Sequence, residues 1–129
     1  MSANSTKQKK SVMLDRIEQT ETCSLVNLTD SEKQVYKGAG WQIAAFKNEE
    51  LVSVHSLNDY AYISGESFDA EVRRATSHNT DKLKQLEADG FDCWLVMASG
   101  YQLCDPVRIA SDDALSVAKI ARIIGEEIT

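Results

Sequence analysis

Few side chains in this chain could do chemistry beyond packing: His55 and His78, the cysteines Cys23, Cys93 and Cys104, and the tyrosines Tyr60 and Tyr62. His55 lies in a run that alternates apolar and polar residues, and the spacing sets it near Gln42 and Tyr62 on one strand face. A general base needs an orienting group and a proton or nucleophile within hydrogen-bond reach. No nearby serine or cysteine stands out as a nucleophile and no carboxylate is fixed beside His55, so it reads as a solvent-facing histidine. His78 falls among Ser77, Asn79 and Thr80, which suit a cap or a loop. The cysteines are odd in number and irregularly spaced, and no CxxC, HExxH or HxH pattern joins them to a histidine. No metal site and no cofactor are expected. Cys93 and Cys104 fall on successive strands. A strict two-residue loop between them would make them diagonal neighbours and a candidate redox pair, against which stands the plainer reading of buried structural thiols. Gly38-Ala39-Gly40 precedes a strand rather than opening a helix, the wrong context for a phosphate loop. No catalytic residue emerges, and the protein is read as a non-enzyme.

The strongest functional signal is a set of side chains that bind rather than react. Residues 41–46, 51–57 and 60–64 form three alternating runs around two turns. Folded as a meander, they send Trp41, Ile43, Ala45, Val52, Val54 and Ile63 to a core and bring Gln42, His55, Tyr60 and Tyr62 to the other face. Gln42, Phe46, His55, Leu57, Asp59, Tyr60 and Tyr62 are therefore the candidate partner-binding residues, because aromatic bodies with polar tips are enriched where proteins meet proteins. Glu49, Glu50, Asp59, Glu66 and Asp69 would rim the patch. The competing reading is that another segment covers this face and makes the tyrosines core residues.

Composition narrows the class. Hydrophobic residues at 43% and charged residues at 26% belong to a folding chain rather than a disordered one. A chain of 129 residues is one ordinary domain with enough core to stand without disulfides. Three of the 14 basic residues lie in the first ten positions, so the rest of the chain sets 11 against 20 acids, a balance of −9. Such a field repels phosphate backbones, so no nucleic-acid partner is expected. No apolar run approaches the ~20 residues a membrane helix needs, and no long apolar segment follows Lys7, Lys9 and Lys10, so neither membrane nor secretion is expected. The cytoplasm is the expected compartment.

Positions 1–10 read as a flexible basic tail and 11–129 as a single α+β domain. Residues 12–28 stay ambiguous between helix and extended chain. Thr29 followed by Glu32 has the spacing of a capping box and opens a short helix stopped by Gly38 and Gly40. After the meander, Phe68, Val72, Ala75, Leu83 and Leu86 mark one helical face, with a break or kink expected at residues 77–80. Gly90 ends that helix. Residues 92–98 are apolar on both faces, as a covered central strand would be. Residues 101–109 return after Ser99-Gly100, with Pro106 requiring an edge or a bulge. Ser111-Asp112-Asp113 starts the final helix. The expected architecture is a five-stranded, largely antiparallel sheet in the order β-β-β-α-β-β-α, packed against helices.

The ten residues Leu83-Lys84-Gln85-Leu86-Glu87-Ala88-Asp89-Gly90-Phe91-Asp92 resemble the helix-to-strand junction of many small α+β domains. The element order is similar to that of roadblock and profilin-like sandwiches, with a shorter lead-in helix and no motif residue to carry over. The function expected is a small acidic protein-binding factor, such as an adaptor, inhibitor or immunity-like protein, that meets another protein, with a basic one favoured by charge. The second reading is a small-molecule-binding or sensory module with a pocket near Trp41, Trp94 and Tyr101. An enzyme using His55 with a cysteine or tyrosine ranks third. Homodimerisation is left open by these residues.

Overall fold

A computed structural model describes residues 15–35 and 39–128; the tail expected at 1–10 lies outside them. Among the described residues nine elements follow one another: β1 (Ile17–Gln19), β2 (Ser24–Val26), α1 (Asp30–Val35), β3 (Gly40–Lys47), β4 (Glu50–Ser56), α2 (Phe68–Ala88), β5 (Asp92–Ser99), β6 (Gln102–Arg108) and α3 (Ala114–Glu127). The class is α+β as expected, but the antiparallel sheet has six strands in the spatial order β1-β2-β6-β5-β3-β4. The ambiguous lead-in supplies β1 and β2. The third meander strand does not form: residues 60–64 are loop, and β4 is left as the outermost strand.

Local chemistry explains the boundaries. The Thr29 hydroxyl accepts from Glu32 N–H at 3.3 Å and Glu32 Oε1 accepts from Thr29 N–H at 2.8 Å, the reciprocal capping box. Ser67 and Asp113 cap α2 and α3 by accepting from Ala70 and Ser116 N–H. Helix α2 runs unbroken through residues 77–80, against the expected kink. Thr76 and Thr80 hydroxyls donate to carbonyls four residues back. Buried Asn79 donates to Ala75 C=O at 2.8 Å and to Leu57 C=O at 2.9 Å. Residues that interrupt a bare helix are thus satisfied within it and tie it to the chain after β4.

Both sheet faces are buried. On one, Ile43, Ala45, Leu57, Cys93 and Leu95 pack under α2 and α3 through Ala75, Leu83, Ile120 and Ile124. On the other, Ala44, Phe46, Leu51, Trp94, Val96 and Leu103 are covered by Ile17, Leu28 and Val35, from β1 and the segment carrying α1. Each such Leu, Ile or Phe contributes roughly 1.5–3 kcal/mol. The face expected to be a binding surface is a second core.

Candidate functional site

The β3–β4 hairpin decides where every proposed binding residue points. Its turn is Asn48-Glu49, two residues with φ of 52° and 70°, between the paired Lys47 and Glu50. Two positive φ values are the I′ pattern that matches strand twist. The connection is thus shorter than the four residues expected. Phe46 pairs with Leu51, but Ala45 pairs with Ser53, Ala44 with Val54 and Ile43 with His55. Val52 is the extra residue of a bulge, and beyond it the register that bulge-free pairing of Phe46 with Leu51 would give, Ile43 opposite Val54 and Ala45 opposite Val52, is displaced by one. The physical reason is burial. The bulge lets Leu51 and Val54 both reach the α1 face while Leu57 reaches the α2 face; a regular strand would put Leu51 and Leu57 on the same side.

The expected aromatic face is accordingly dispersed. Phe46 and Leu57 are each 1% exposed, in different core layers, and Gln42 is buried at 4%. His55 turns to the α2 side. Its Nε2 lies 3.1 Å from Ser53 Oγ, and burial, then the Lys82 ammonium, hold its pKa below the ordinary value, keeping it neutral. No carboxylate among the described residues bonds its ring, and its hydrogen-bond neighbour is the Ser53 hydroxyl. Tyr60 packs against the α2-side core and donates to Glu71 Oε2 at 2.9 Å, with the Arg74 guanidinium 5.4 Å from its ring. Arg74 also binds both oxygens of Glu66 and the Ala61 carbonyl, which fastens the loop where a strand was expected. Asp59 is exposed in that loop, and Tyr62, 73% exposed, stands clear of both cores.

The alternatives fare similarly. Trp41 belongs to the α2–α3 side and Trp94 to the α1 side, so they line no common pocket. A hollow of about 250 Å³ does lie at Trp41, Met97 and Ile123. Ser99 pairs with Gln102 across Gly100-Tyr101, and a second bulge holds Pro106, beside Asp105 with φ 51°. Cys104 therefore sits opposite Met97, while Cys93 is buried at the far end of β5, so these two thiols are no pair. Burial, with Glu87 and Asp92 nearby, pushes the Cys93 thiol up to about 12. No group of three or more His, Cys, Asp or Glu among the described residues could hold a metal, and no helix there is long and apolar enough to cross a membrane.

What the fold does assemble is an open strand edge beside a groove. Leu57 N–H donates to Trp41 C=O at 3.1 Å, so by antiparallel alternation His55 and Ser53 face β3, while Val54 and Ser56 aim their backbone N–H groups outward. The first outward rung is occupied: Leu51 N–H donates to Glu32 Oε2 at 2.6 Å. Glu32, 2% exposed, is itself held by Arg16, which also donates to Glu49 C=O at 2.6 Å and Asn27 C=O at 2.8 Å and lies 5.8 Å from the Phe46 ring. Burial alone would raise the Glu32 pKa, but hydrogen bonds from Arg16 and from Thr29 and Leu51 N–H outweigh it and hold the carboxyl below its ordinary range. Past this plug, a groove of about 500 Å³ runs between α1 and β4, with Gln34 and Val35 on one wall and Val52, Val54 and Ser56 on the other. Buried Gln42 is part of its lining. Val52, pushed out by the bulge, is 45% exposed. Sequence reasoning missed this site because it placed another strand beyond β4.

No protein family, curated protein or solved structure matches this chain.

Proposed function

We propose that this protein is a non-enzymatic protein-binding factor that takes an extended, basic segment of another protein as an added strand along β4. One observation supports this above the rest: among the described residues no neighbour occupies the main-chain edge at Val54 and Ser56, and that edge lies beside a groove of about 500 Å³. Strand addition draws affinity from backbone hydrogen bonds and specificity from alternate side chains entering adjacent pockets. Charge selects the occupant. Exposed Glu49 and Glu50 stand at one end of β4 and exposed Asp59 beyond the other. A second copy paired antiparallel about Val54 would set Glu49 of each chain against Asp59 of the other, and like charges directly opposite destabilise a ladder. A basic segment meets attraction at both ends. Adaptor and inhibitor are two outcomes of this same act of capture.

The test is selection of short random peptides displayed against the folded protein, followed by binding to the Val54→Pro variant. The selected sequences should alternate β-branched residues with lysine or arginine. Proline costs the fold no ladder bond where the N–H points outward, yet it removes one rung from the complex and should weaken binding about tenfold or more. Peptides that bind the variant as well as the parent would place the site elsewhere. A second reading, a small-molecule or sensory module, draws on the same groove, whose volume falls within the roughly 300–1,000 Å³ of ligand sites. A small-molecule thermal-shift screen tests it: a ligand at about a hundredfold excess over its dissociation constant should stabilise by about 2.7 kcal/mol.

A further inference from the structure

The weakest seam of the sheet carries a pair of thiols. β2 joins β6 through two rungs, Leu25 opposite Cys104 and Val26 opposite Leu103, whereas β3 and β5 share seven. Among the described residues β1 has no ladder partner but β2. Cys23 lies just before β2, two residues from Leu25, the rung partner of Cys104. The chain is held there from both sides. Thr20 N–H donates to Cys23 C=O at 2.8 Å, Thr20 Oγ1 donates to the same carbonyl at 2.7 Å, and Ser24 N–H reaches Asp105 Oδ1 at 3.4 Å. The Cys23 side chain lies near enough to Cys104 to help raise its pKa, its sulfur also meets Thr20 Oγ1 at 3.6 Å, and both thiols are half-buried, unlike Cys93.

We infer that Cys23 and Cys104 form a reversible intramolecular disulfide that staples the β1–β2 ribbon to β6. The oxidant is a hydroperoxide. Burial, then Cys23 and Asp105, raise the pKa of Cys104, so the first attack falls to Cys23. Its thiolate bonds to one peroxide oxygen, the O–O bond breaks, and the departing oxygen takes up the thiol proton, leaving Cys23 as a sulfenic acid. Cys104 sulfur then attacks that sulfur, the S–O bond breaks, and the oxygen leaves as water with the Cys104 proton. Two thiols are oxidised by two electrons and one peroxide is reduced. A dithiol reverses the step by exchange.

The experiment treats the folded full chain with hydrogen peroxide, blocks remaining thiols and maps linkages without reduction. Trypsin leaves Cys93 and Cys104 on one peptide, so chymotrypsin must also cut at Trp94 or Tyr101. The expected product is a monomer lighter by two hydrogens, with Cys23 linked to Cys104 and Cys93 free. Its melting temperature should rise by roughly 5–15 °C, reversed by dithiothreitol, with slower amide exchange at Leu25 and Val26. Cys104→Ser should lose both the link and the shift. The inference is overturned if Cys23 and Cys104 stay alkylatable after oxidation, if the link involves Cys93 or a second chain, or if it forms equally in denaturant.

Discussion

β1 and β4 end the same sheet, yet they treat their exposed edges differently. β1 is three residues long, with Glu18 and Gln19 exposed and Glu21 following, so it offers little template and places charge on it. Short, charged edges are how sheets avoid unwanted pairing. β4 is seven residues long, and its stretch from Val52 to Ser56 carries no charge, His55 being kept neutral. Its protection is confined to one end, where the Glu32 carboxylate accepts the Leu51 N–H as a neighbouring strand would. Beyond that rung the bulge turns Val52 toward water instead of closing the edge. The contrast teaches that exposure of an edge is managed rung by rung, and the rungs left open beside a groove are where the proposed partner strand would add.

The largest expected effect comes from removing the plug. Glu32→Ala leaves Arg16 without its carboxylate and Leu51 N–H without an acceptor, and should cost about 3–5 kcal/mol in chemical denaturation, as breaking a buried pair does. Glu18→Ala on β1 should stay within about 0.5 kcal/mol. Equal losses at the two edges would erase the distinction between them.

Acid sharpens the same contrast. The folded state holds Glu32 below 4.5, so its contribution is present above that value and is lost as pH falls through the lower folded pKa. His55 is depressed below 6.5 and acts with the same sign, its contribution being full above 6.5 and fading as pH falls through the folded value. Stability measured by urea titration should therefore decline in two windows. Glu32→Gln should flatten the lower one and His55→Gln the upper.

Smaller effects follow at the turn and the groove wall. Glu49→Gly relieves a left-handed backbone at φ 70° and should stabilise by about 0.5–1 kcal/mol, read as a raised denaturation midpoint. Val52→Lys should change stability by no more than about 0.5 kcal/mol, because the side chain is already half in water. It should still weaken capture of a basic peptide by placing like charge on the groove wall, measurable by titration calorimetry.

Much of the frame was legible in local chemistry. Thr29 with Glu32, Ser67, Asp113 and Gly90 mark helix ends because caps act over a few residues, and Pro106 called for an edge or a bulge because it lacks an N–H. What escaped depends on partners remote in sequence. The Val52 bulge serves two core layers at once, and one alternating run cannot show that both faces are buried. The unbroken α2 depends on Asn79 reaching Leu57 C=O. β1 and β2 are three residues each, too short for periodicity to declare them. Of the candidate residues, Gln42 lines the groove and His55 lies on the edge strand, while Phe46, Leu57 and Tyr60 pack into the cores.

Amide hydrogen exchange by NMR, with and without a selected basic peptide, tests the edge directly. The account predicts that Val54 and Ser56 amides exchange fast in the free protein and are protected in the complex, while Ile17, Glu18 and Gln19 do not change. Protection already present at Val54 and Ser56 in the free monomer, or a bound state that protects β1 instead, would contradict it.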